Sequence, residues 1–152
     1  MKMSIKNDIK EIVNYAHFWN WSPDWGIVQE IYQTFPDSYS VLLPFAYTYL
    51  EEMIRSTTSE YGIEIPDNAC NFKKRKVGTR LINLAISENS NNINYIMLLE
   101  KTKAYFSSSK PTDAGDNRNN VVHGYMHPRF WCKESFEQLV HNIAMLSKYA
   151  GF

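Results

Sequence analysis

The sequence predicts an all-α helical bundle, with four core helices and additional helices on the amino-terminal side. Apolar residues recur at three- and four-residue steps over several stretches long enough for helices, whereas no segment alternates apolar and polar residues over more than four or five positions. Pro, Gly and polar clusters separate those stretches. The 152 residues, 44% hydrophobic and 21% charged, exclude the composition of intrinsic disorder. A chain of this length buries enough surface to fold without a metal or disulfide staple, and residues 1–152 are expected to form a single domain.

The first helix is expected over 4–18, where Ile5, Ile9, Ile12, Val13 and Ala16 form an apolar stripe. Ser22 followed by Pro23 signals a second start, and Trp25, Val28, Ile31 and Tyr32 carry the period to about Phe35. Pro36 breaks it. A third helix lies within 37–57, with Pro44 either kinking or starting it. Residues 58–72 contain Gly62, Pro66, Asp67 and Asn68 and read as a loop, with a brief extended piece at YGIEI. Helices are expected again over 76–88 and 93–106, separated by the polar NSNNI. SSSKPTDAGDN, 107–117, reads as a flexible polar loop. A short helix begins near Arg118, a break follows at 124–128, and a last amphipathic helix runs from about 133 to 149.

Two cysteines, Cys70 and Cys132, are too few for a disulfide framework and fit a reducing compartment. The amino-terminal stretch lacks the apolar run of a secretory signal, and no segment approaches the ~18 apolar residues of a membrane span. A cytoplasmic chain with no membrane partner is expected. The net charge is zero but uneven: residues 1–60 hold eight acids against four bases. The balancing positive charge gathers at Lys73, Lys74, Arg75, Lys76 and Arg80, which is either a solvated helix start or a surface that meets phosphate. The 22 aromatic rings, among them Phe18, Trp19, Trp21 and Trp25 in FWNWSPDW, suit core or dimer packing, or base stacking.

Chemically capable side chains are densest in DNRNNVVHGYMHPRFW, 116–131, which includes Arg118, Asn119, Asn120, His123, Tyr125, His127 and Arg129. On a helix over 118–123, Asn119 and His123 share a face one turn apart, and Val121 and Val122 are expected to point into the bundle. Arg118 is about 140° away from His123, but its long side chain can curve toward the same pocket. Histidine can take a proton from an RNA 2′-hydroxyl or give one to the leaving oxygen. Arginine holds nonbridging phosphate oxygens and stabilises charge in the transition state. Cleavage by an internal 2′-hydroxyl needs no metal, so no cofactor is expected. The structural alternative is that Arg118 and His123 cap and solvate a helix start.

Arg118, the polar Asn119 and, after four intervening residues, His123 resemble the R-x4-6-H motif of HEPN domains (higher eukaryotes and prokaryotes nucleotide-binding). RNNVVHGY also resembles the R-x4-H-x-Y form of toxins that pair with a minimal nucleotidyltransferase antitoxin. The resemblance covers roughly 93–149. It implies a metal-independent endoribonuclease of a toxin-antitoxin or antiphage defence system, acting on RNA as a homodimer, with that antitoxin or another defence-system subunit as partner. By the same resemblance Arg118 and His123 are the catalytic pair, Asn119 supports them, and Tyr125 is the residue the antitoxin modifies. Lys73, Lys74, Arg75, Lys76, Arg80, Asn120, His127 and Arg129 are candidates for contacting RNA. Many HEPN domains are noncatalytic, so a module that binds a partner protein or a nucleotide is the alternative.

Weaker patterns complete the set. His123, His127 and Cys132 have superficial zinc-ligand spacing, but Gly124 and Pro128 interrupt the helix and the fourth ligand would be the remote Cys70 or His141. Cys132 with His127 or His141 as base lacks a nucleophile turn. Glu51, Glu52 and Arg55 read as a solvated helical face, with Glu52 or Arg55 in a secondary role near the site as the alternative.

Overall fold

Helix α1 spans Ile5–Tyr15 and buries Ile9 and Ile12; it ends where Ala16 turns extended, three residues before the expected end at 18. The turn that follows is fixed locally, because the Nδ1 of His17 accepts the backbone N–H groups of Trp19 and Asn20. These observations come from a computed structural model, which describes residues 4–62, 75–124 and 127–152. Helix α2 is Ser22–Thr34, with Pro23 in the first turn, where its missing N–H costs no helical bond. It buries Trp25, Val28 and Tyr32.

A 3-10 turn at Pro36–Ser38 leads into α3, Tyr39–Arg55. Pro44 lies inside α3 rather than at its start. The proline forfeits one helical hydrogen bond, but it is exposed, so the affected backbone stays near water while Leu42, Leu43, Ala46 and Tyr47 face the core. Helices α4 (Gly78–Glu88) and α5 (Ile93–Thr102) follow. Asn92 caps α5 by accepting the N–H of Tyr95, and α5 tightens into a 3-10 turn at Lys103–Phe106. Helix α6 is the short Arg118–His123. A 3-10 turn at Pro128–Phe130 precedes α7, Lys133–Ser147.

The described residues form an all-helical bundle without strands. Helix α7 packs against α1, α3 and α5, α2 lies against α1, and α4 bridges α3 and α5. Ile12, Trp25, Leu50, Ile54, Leu81, Leu99, Phe136 and Ile143 meet in a common core, with Trp25 set edge-on to Tyr49. Polar links cross the same interface: the Tyr32 hydroxyl donates to Glu137 at 2.6 Å, and His141 Nδ1 lies 3.2 Å from Asp8. Among the described residues no helix is long and apolar enough to cross a membrane. Most of the YGIEI segment lies outside the described residues; Tyr61 and Gly62 sit in a turn.

The segment 107–117 is not the free polar loop its composition suggests. The buried Tyr47 hydroxyl donates to the carbonyl of Gly115, and the N–H of Cys132 donates to that of Ala114. Gly115 is buried at φ +90°, and a Cβ there would come within 2.9 Å of Leu43 and 3.0 Å of Trp131. Lys110 and Asp113 close a small turn, the Lys110 N–H donating to the Asp113 carboxylate. Side chains and the core therefore supply the hydrogen bonds that this backbone cannot make within itself.

Candidate functional site

Helix α6 is too short to be stable alone, and its ends show how it is held. Asn117 is its N-cap: the side-chain oxygen accepts the N–H of Asn120 at 3.1 Å. The Asn117 amide donates to the Ser107 carbonyl at 2.8 Å and to its hydroxyl at 3.1 Å, so a single buried side chain starts the helix and ties it to the end of the 103–106 turn. At the other end Gly124 adopts the left-handed conformation at φ +64° and terminates α6 directly after His123.

Arg118 points inward to α3. Its Nη2 lies 3.1 Å from Glu51 Oε2, and both side chains are largely withdrawn from water, at 18% and 13% exposure. Nη1 reaches the side-chain oxygen of Asn119 at 3.4 Å, and the Asn119 amide donates to the Ser107 carbonyl at 3.3 Å. The other Glu51 oxygen accepts the N–H of Gly78 at 3.1 Å. One carboxylate thus holds both the guanidinium of α6 and the first residue of α4.

Glu51 therefore does not belong to a solvated face, and neither does Arg55. Arg55 is buried; it donates to Glu52 at 3.1 Å and to the Lys76 carbonyl at 2.7 Å. Glu60, also buried, accepts the Lys76 N–H and faces its Nζ at 3.3 Å. The approach to α4 over 76–78 is thus gripped by three side chains from α3 and the turn after it. The sequence alone placed Glu51 on a solvated face and not beside Arg118. A usable signal was its place four residues after Tyr47 and three before Ile54, on the buried side of α3.

His123 is exposed at the end of α6, and no hydrogen bond joins it to Arg118. Asn120 is a correction: its side chain is fully buried, with the amide donating to the Lys110 carbonyl at 2.9 Å, so it braces the loop and cannot reach RNA. Val122 is another. Val121 enters the core, whereas Val122 is 48% exposed, because a helix of six residues presents only a narrow buried face. His127 and Arg129 are exposed in the turn before α7, where His127 Nδ1 accepts the Arg129 N–H and the Arg129 guanidinium lies 5.4 Å over the Phe130 ring. Arg75 and Arg80 are exposed, and Lys76 is committed to Glu60.

Tyr125, Lys73, Lys74 and Cys70 lie outside the described residues. Among the described residues no three His, Cys, Asp or Glu side chains converge as a metal site. Cys132 is free, at the start of α7, with its sulfur 2.9 Å from the Ser135 hydroxyl. Phe18 and Trp19 are each 76% exposed, while Trp25 is buried and Trp21 is half-buried against Phe45 and Tyr49.

Among known proteins, the chain matches no family model, no curated protein and no solved structure.

Proposed function

We propose that this chain is a HEPN-like, metal-independent endoribonuclease of a cytoplasmic bacterial defence or toxin-antitoxin system. The observation that carries this is the pairing, on one six-residue helix, of an oriented guanidinium and an exposed imidazole: Arg118 aimed by Glu51 and Asn119, and His123 open to solvent. The RNA 2′-oxygen attacks the adjacent phosphorus and the bond to the 5′-oxygen breaks, leaving a 2′,3′-cyclic phosphate and a 5′-hydroxyl. The 2′-hydroxyl gives up its proton to a base and the departing 5′-oxygen receives one, which are the roles open to imidazole. The N–H groups of Arg118 not bound to Glu51 or Asn119 meet the phosphate oxygens, where negative charge accumulates.

One candidate catalytic histidine per chain, His123, makes a sparse acid-base set, and a two-fold dimer doubles it. Val122 next to His123 and Phe130 at 60% exposure provide apolar surface for such an interface. A nucleotidyltransferase-type antitoxin that modifies Tyr125 would add charge and bulk two residues from His123.

Purified protein is expected to cut single-stranded RNA in excess EDTA and to leave cyclic phosphate ends. His123→Ala and Arg118→Ala should each slow cleavage by at least about 10²-fold. Absence of cleavage across a complex RNA pool, or unchanged cleavage in both variants, rejects the proposal. A specific observation favours the noncatalytic module as second reading: Arg118 already has a protein carboxylate for partner. A module would cut nothing, and Arg118→Ala would act on stability alone.

A further inference from the structure

We propose that the groove bordered by Arg75, Lys76, Val77, Thr79 and Arg80 binds the phosphate next to the scissile one in a single-stranded RNA. The proposal rests on the ribonuclease reading for the identity of the ligand.

The groove measures about 350 Å³, and among the described residues its border contains no acidic side chain. Among the described residues, the acids tied to this stretch directly or through Arg55 are Glu51, Glu52 and Glu60. Each acid is already committed to a base: Glu52 to Arg55, Glu60 to Lys76 and Glu51 to Arg118. Among the described residues of the border, Arg75 and Arg80 are exposed and carry the positive charge that these pairs do not use. Val77, 49% exposed between them, offers an apolar surface suited to a ribose or base edge.

Position makes this more than a charged patch. Gly78, flanked by the groove residues Val77 and Thr79, donates its N–H to the same Glu51 carboxylate that holds Arg118. The groove and the candidate catalytic arginine are thus one carboxylate apart. The stretch 76–78 is held in place by Arg55, Glu60 and Glu51. A strand whose reacting phosphate lies at Arg118 would carry its neighbour toward Arg75 and Arg80. Guanidinium groups suit that role, since their paired donors match phosphate oxygens.

The test uses fluorescently labelled single-stranded RNA and full-length protein carrying His123→Ala, so that binding is read without cleavage. Arg75→Gln and Arg80→Gln are each expected to weaken binding about tenfold at low salt, and to lower the slope of log affinity against log salt by about 0.7 per arginine. Lys6→Gln and Lys10→Gln on α1 should leave both unchanged. Unaltered affinity and slope in the arginine variants overturn the proposal. So does an equal loss in the α1 variants, or a parent protein that binds no RNA. The two readings fail separately. RNA bound through Arg75 and Arg80 but never cut by the unmutated chain keeps the groove and removes the nuclease, whereas cleavage with unchanged binding in the arginine variants does the reverse.

Discussion

Phe136 on α7 and Asn117 before α6 are almost equally withdrawn from solvent, at 0% and 3% exposure, yet they are held by different means. Phe136 packs beside Tyr32 in the core shared by α1, α2, α3 and α7, where the stabilising contribution is apolar surface removed from water. Asn117 makes three hydrogen bonds that decide where a six-residue helix begins and where Arg118 points. The first region would tolerate a change of apolar residue if volume were kept, because burial is non-directional. The second would not, because each bond needs its own donor or acceptor in place. The candidate site lies in the second region.

The largest effect should come from the first. Phe136→Ala is expected to cost about 3–5 kcal/mol in denaturant unfolding, since the cavity adds to the lost transfer energy. A loss below about 1 kcal/mol would show that the core refills and would remove the contrast. Next comes Glu51. Glu51→Ala should cost about 2 kcal/mol, because it leaves Gly78 N–H and the mostly buried Arg118 without their acceptor. A double-mutant cycle with Arg118→Ala should give a coupling energy of about 1–2 kcal/mol, and strict additivity would mean that the pair does not orient the arginine. The smallest global effect belongs to Asn117→Ala, about 1 kcal/mol, as for other N-caps. Amide exchange across 118–123 should nevertheless accelerate far more than in α7. Uniform acceleration in both helices would merge the two regions into one cooperative unit.

The same division decides what could be read in the chain. Ser22–Pro23 marked the start of α2 and Gly124 the end of α6, because caps and breakers act within a few residues. The stripe of Phe136, Leu139, Val140 and Ile143 identified α7 and its buried face. Arg118 and His123 were legible as members of one short helix. The partner of Arg118 was not, since Glu51 lies 67 positions earlier and meets it only through the packing of α3 against α6. Asn120 looked like a surface polar residue for the same reason. Its acceptor, the Lys110 carbonyl, is supplied by a loop whose path depends on Tyr47 and Trp131. Tertiary hydrogen bonds of this kind leave no periodic trace.

Glu51 divides one negative charge between two donors, the Arg118 guanidinium and the Gly78 amide. An anion that draws Arg118 away leaves the whole charge to the amide, which is then held more tightly. Thermodynamic reciprocity requires the converse in equal measure: whatever fastens the first residue of α4 makes Arg118 easier to take. Two helix starts forty residues apart would in this way answer one another across a single side chain.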